Sequence, residues 1–249
     1  MEKMMHLAAQ YLAAAGISFV DKKEDDSHTN LGFISENGRM QTHPLSKSGD
    51  MLSLDYKKFT LDWNSQNSKT SFRLDGATHK QVLEWLKEVS NTFLKKEYVY
   101  AFHFDLPHEI DDNFMFKLLD ASKLQELMHL RILTQYTLEK ILEDNRLESP
   151  IRVWPHHFDT GAYAHFENGS DISIGLGLAI PDSLCKEHYL YISGNRKGNA
   201  MDTSNFPKLD IGKWKNDGFK GAILPAATCV ESEAVQFFQE AIDTYKKYS

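Results

Sequence analysis

The sequence predicts an α+β fold, with antiparallel-dominated sheets covered by about four helices. Three observations carry that expectation. Short strand-like runs separated by turn residues fill residues 31–74 and again 151–224. Asn-Gly pairs stand at Asn37-Gly38 and Asn168-Gly169, and Asn-Gly between such runs is the strongest short hairpin signal. Four longer stretches repeat apolar residues at helical spacing.

In chain order, the first helix places Met4, Leu7, Ala8, Tyr11 and Leu12 on one face and is expected to end near Gly16 as a C′ glycine. A polar loop, Asp21 to Asn30, follows. Strands are expected at 31–35, 40–43, 51–55, 59–63 and 71–74, with a turn over 64–69. Thr78 then opens a helix as N-cap with Gln81 completing a capping box. Val82, Trp85, Leu86 and Val89 form its apolar face. The run Tyr98 to Asp105 reads as a strand ended by Pro107. A long helix is expected over 122–144, then a strand from Ile151 to Asp159 that Pro155 marks as an edge or irregularity. Strands at 162–166, 172–180, 189–193 and 219–224 lead to a closing helix over 232–248, with a long loop at 194–210.

Two stretches are alike. A Glu-Asn-Gly hairpin leads through strands to an Ala-Thr and an amphipathic helix, once from Phe33 and once from Ala164. Duplication into two helix–sheet–helix halves, 1–105 and 106–249, is one reading; a single merged domain is the other. A duplicated chain would carry its pocket at the seam.

Composition removes several classes of function. The net charge of −7 comes with scattered Lys and Arg, and no basic stripe is present to neutralise a phosphate backbone. Nucleic acid is therefore not an expected partner, nor is an anionic membrane surface. No run approaches the roughly 20 apolar residues of a membrane span. Two cysteines, Cys185 and Cys229, without CxxC spacing and without a signal-peptide core, point to the cytoplasm. Oligomeric state is not legible. No serine-hydrolase elbow, phosphate-binding loop or zinc-protease motif occurs. Gly175-Leu176-Gly177 lies inside a strand pattern and lacks the third glycine of a dinucleotide loop.

One pattern stands out. His103-Phe104-Asp105 and His157-Phe158-Asp159 each close an expected strand. Alternation would put each His and Asp on one face and each Phe on the other. A helical crossover between parallel strands would bring both triplets to one sheet end, where α/β sheets hold ligands. His103, Asp105, His157 and Asp159 are accordingly the candidate catalytic residues. Trp154, His156, Tyr163 and His165 are the candidate ligand-binding residues. Two imidazoles and two carboxylates suit proton transfer or a divalent metal. The same residues also suit structural His–Asp pairs that only fix a tautomer. Asn195-Arg196-Lys197 offers an anion clamp, and Cys229 ahead of a helix would have its thiol pKa lowered by the helix N-terminus.

The run PIRVWPHHFDTGAYAHFENG from Pro150 resembles a bacterial domain family of unknown function, in which a Trp followed closely by Phe-Asp lies on a strand after a long helix. The resemblance spans roughly residues 120–248 and is centred on Trp154 to Asp159, with Pro155-His156-His157 set between the Trp and the Phe. It implies a strand-rich architecture with two helices and brings no activity, cofactor or catalytic residue. Two functions stand at this point. One is a pocket enzyme of hydrolase or isomerase type using the His and Asp residues on a small molecule. The other is a ligand-binding or protein-interaction module without chemistry.

Overall fold

The computed structural model describes residues 1–106, 108–166 and 171–248. The expected Asn168-Gly169 hairpin and Pro107 lie outside the described residues. The chain divides into two compact units, one of residues 1–129 and 153–158, the other of residues 130–152 and 159–249. Both are helix and antiparallel sheet, as the α+β expectation requires. Residues 106–129, assigned from the sequence to the second half, count with the first unit.

In the first unit, helix α1 runs Glu2–Phe19 and is buried on all sides from Met5 to Gly16. It is a core helix rather than the one-faced helix its spacing suggests. Its buried polar side chains are therefore bonded: His6 Nε2 lies 2.8 Å and Gln10 Nε2 2.7 Å from the carbonyl oxygen of Pro155. Gly16 does not end the helix. A Cβ there would stand 2.5 Å from the His28 carbonyl oxygen, so close approach of backbone is what requires glycine.

Five strands follow: β1 Gly32–Ile34, β2 Arg39–Gln41, β3 Met51–Asp55, β4 Thr60–Ser65 and β5 Ser68–Arg73. They form an antiparallel meander in chain order. Gly38, at φ 67°, closes the first hairpin as the Asn-Gly signal predicts. The expected turn over 64–69 shrinks to Gln66-Asn67, because β4 and β5 pair through to Ser65↔Ser68. One face buries Met40, Leu52, Leu54, Leu61 and Trp63. The other carries Asp55 and Asp62, 3% and 1% exposed at the side chain, beneath the cations of Arg39 and Lys69. Arg39 Nη2 reaches Asp55 at 2.8 Å and Asp62 at 3.2 Å, and Lys69 Nζ reaches Asp62 at 2.9 Å. At the edge, Ser68, Lys69, Ser71 and Arg73 of β5 are exposed.

Helix α2, His79–Leu94, has the capping box of Thr78 and Gln81 that the sequence predicts. Val82, Leu86 and Val89 are buried, while Trp85 is half-buried against Phe72. The expected strand Tyr98–Asp105 is absent; that segment holds no regular structure. Helix α3, Ala121–Asn145, belongs to the first unit up to His129 and to the second from Leu130. The expected strand Ile151–Asp159 is broken. Strand β6 covers only Arg152–Trp154, and Val153 bridges Leu31. Pro155 to Phe158 then form a turn in which Phe158 adopts φ 59°.

The second unit holds β7 Asp159–His165, β8 Ile172–Ala179, β9 Tyr189–Arg196, β10 Asn199–Ala200, β11 Lys213–Lys215 and β12 Gly221–Pro225. All its pairings are antiparallel, in the order β11-β12-β9-β8-β7, with β10 on β9. Among the described residues no parallel strand pairing is found, so no crossover sets both His-Phe-Asp triplets at one sheet end. The strand orders of the two units also differ: the first follows the chain, whereas β12 lies between β9 and β11. Duplication finds no support in that topology. Helix α4, Glu231–Lys247, lays Phe237, Phe238, Ala241, Ile242 and Tyr245 against Leu176, Leu190 and Ile192 of the sheet and Leu138 and Ile141 of α3. Gly177 explains its own place in the Gly-Leu-Gly run. It pairs with Gly161, and a Cβ would lie 1.9 Å from the Thr160 carbonyl oxygen. No helix among the described residues is long and apolar enough to cross a membrane.

Candidate functional site

The first unit gathers imidazoles around aromatic rings. His103 and Asp105 lie in the irregular segment after α2 and both are exposed. His103 pairs with a carboxylate, but with Asp26: Nε2 to Oδ2 is 2.9 Å, with the two side chains 39% and 41% exposed. Asp26 sits at φ 57° in the loop after α1. The hydrogen bond from His103 holds its carboxyl below the usual range. The His103 ring lies nearly parallel to that of His28 at 6.4 Å, and burial holds the His28 imidazole below its usual pKa.

Phe104, expected on the opposite face from His103, instead joins the two motifs. Its ring is 5.2 Å from His103 and 5.6 Å from His156, and His156 is 4.2 Å from His157. Trp154 meets His156 edge-on at 6.1 Å. His28, His103, Phe104, His156 and His157 thus form a ladder of rings. The turn that carries His156 and His157 is anchored from within. Phe158 stacks on His6 at 4.7 Å and 7° between planes, while the Pro155 carbonyl takes the two bonds from α1.

In the second unit, β7 carries Asp159, Tyr163 and His165 at alternate positions, hence on one face. Asp159 Oδ2 accepts a hydrogen bond of 2.8 Å from the Tyr191 hydroxyl. Burial and the Asp159 carboxylate push the Tyr191 phenol well up. The phenol therefore stays protonated and serves as a fixed donor. Tyr163 and Ser173 share a hydroxyl contact of 2.5 Å, and the His165 ring meets Tyr163 edge-on at 5.4 Å.

The structure therefore brings His103 and His157 onto one ladder, and Asp159, Tyr163 and His165 onto one strand face. In the first triplet His103 meets the Asp26 carboxylate, and in the second His157 and Asp159 do not share one strand, as alternation would require. His157 lies in a turn, and the left-handed Phe158 interrupts the strand geometry before Asp159 begins β7. Among the described residues no group of three or more His, Cys, Asp or Glu is arranged to hold a metal ion, so the divalent-metal reading gains nothing. At Cys229 the expectation is reversed: burial pushes the thiol up to about 11 rather than down. Asp26 and Tyr191 are the partners that sequence reasoning missed, because both are distant in the chain from the groups they contact. No family model, curated protein or solved structure matches the chain significantly.

Proposed function

We propose that the chain is a ligand-binding module without His/Asp chemistry, and that the ring ladder of the first unit contributes a π-rich surface to that binding. One observation carries the reading. The imidazoles of His103 and His157 lie on one ladder of rings, at 4.2–6.4 Å between centroids, and the carboxylate that His103 meets is Asp26 of another loop. An acid–base catalyst needs a proton-transfer group within hydrogen-bond reach of its orienting partner. On the ladder His103 pairs with Asp26, and that couple is open to water on both sides. Water and salt screen an exposed pair and weaken the coupling between its charges. Stacked and edge-on rings favour contact with flat, polarisable ligands.

The test combines binding with turnover. Ligand-observed NMR against a library of small planar compounds should give saturable binding that Phe104→Ala weakens. Incubation with a panel of generic ester, amide and phosphate substrates should give no turnover. Hydrolysis that disappears in both His103→Ala and His157→Ala would overturn the reading in favour of the enzyme.

A further inference from the structure

The second unit contains a groove of about 500 Å³ walled by Arg196, Lys197, Asn199, Asp202, Phe206 and Tyr248. Its volume is in the range of small-molecule sites. The β9–β10 hairpin builds one wall. Lys197 at φ 50° and Gly198 at φ 79° form a two-residue turn with both residues left-handed, the geometry that suits a tight hairpin. The turn sets Arg196 directly opposite Asn199. The loop after β10 supplies Phe206. Its ring is held edge-on by Trp214 at 5.0 Å and Tyr245 at 5.5 Å, and lies 4.8 Å from Tyr248 at 37°.

The polar groups are held in place too. Arg196 donates one N–H through Nη2 to the Tyr248 carbonyl oxygen, and a guanidinium has five such donors. Lys197 pairs with Asp171 at 3.2 Å with both side chains mostly exposed, a contact that water and salt loosen easily. Asp202 accepts from the Ser204 N–H at 2.8 Å and from Asn216 at 3.1 Å, and those bonds hold its carboxyl below the usual range. It therefore stays ionised at neutral pH, as an acceptor fixed in the same groove as the two cations.

We infer that this groove binds a small oxyanion attached to a planar aromatic ring. The oxyanion lies against Arg196 and Lys197, the ring lies on Phe206 and Tyr248, and Asp202 accepts from a donor on the ligand. Arginine suits this role because its planar fork matches phosphate and carboxylate oxygens. The pairing of cation and aromatic walls selects a ligand with both features over a bare anion or a neutral ring. Phosphate and carboxylate share this chemistry, so both are tested.

The experiment is a calorimetric titration of the full chain with adenosine 5′-monophosphate, indole-3-acetate, adenosine, indole and inorganic phosphate. At least one of the two ring-bearing anions should bind at least about tenfold more tightly than its neutral counterpart and than phosphate alone. Arg196→Gln should remove that advantage while leaving the weak binding of the neutral ring unchanged. Lys208→Gln, which removes an exposed cation outside the groove, should retain the preference, and melting curves should show both variants folded. A preference for the nucleotide identifies phosphate as the anion; a preference for indole-3-acetate identifies carboxylate. No saturable binding of either ring-bearing anion, or equal binding by Arg196→Gln and wild type, overturns the inference. Phe104→Ala weakens whatever ring binding the ladder contributes but should leave the preference for the ring-bearing anion and its loss in Arg196→Gln intact, so the groove and the ladder fail independently.

Discussion

The two sheets solve the same problem by different means. Each buries one face, and each must stabilise the other. The first sheet covers its second face with charge: Asp55 and Asp62 lie under Arg39 and Lys69. The second uses shape, with Gly161 and Gly177 opposed so that the β7 and β8 backbones approach closely. Charge is sensitive to pH and salt, whereas close backbone approach is sensitive to a single added carbon. The first sheet should therefore fail by titration and the second by substitution.

The largest effect expected is in the second sheet. Gly177→Val would drive side-chain atoms into the Thr160 carbonyl. Because backbone rather than a flexible side-chain tip must move, the cost should reach about 3 kcal/mol or more. Thermal unfolding measures it, and a melting temperature within a degree or two of wild type would show that β7 and β8 can part cheaply. Next is Arg39→Ala in the first sheet. Removing one partner of a buried ion pair leaves charge uncompensated. Lys69 remains on Asp62 and the N–H groups of Lys57 and Lys58 remain on Asp55, so roughly 2 kcal/mol is expected.

Acid sharpens the contrast. Burial alone would raise the Asp62 carboxyl, but the hydrogen bonds from Lys69 and Ser71 and the charges of Lys69 and Arg39 outweigh it and hold it low. A carboxyl depressed in the folded state contributes stability above its unfolded pKa of about 3.9, and that contribution is lost as pH falls through the folded value. Amide hydrogen exchange below about pH 4 should thus lose protection in β3–β5 before β7–β9. Loss in the opposite order would refute the division into charge and shape.

Much of this fold was legible in the chain because helical spacing and caps are local signals. Thr78 and Gln81 sit three residues apart and make the box that their spacing predicts. Burial was less legible. Trp85 shares the Val82–Leu86–Val89 face yet is only half-buried, since the neighbour it meets is the partly exposed Phe72. Trp85→Ala should therefore cost about 1–2 kcal/mol in a thermal melt rather than the 3–5 of a full core aromatic. The candidate site was the least legible part. Alternation is a property of strands, and neither His-Phe-Asp triplet lies wholly in one. The carboxylate that meets His103 comes from a loop after α1 that reads as plain solvated acid. Removing that exposed contact is the smallest effect expected. His103→Ala should change stability by less than about 1 kcal/mol, and a larger loss would mean that the ladder is part of the core.

The ion pair of Lys69 with Asp62 has a consequence outside the folded monomer. Among the described residues strand β5 is the edge of its sheet, with one side of its backbone turned away from β4. A second molecule adding a strand there would have to strip water from Lys69 and Arg73 and crowd a cation already committed to a buried carboxylate. Charged edge positions are a common defence against strand-to-strand growth. The same lysine that neutralises the sheet's outer face therefore also opposes fibril seeding at its open edge.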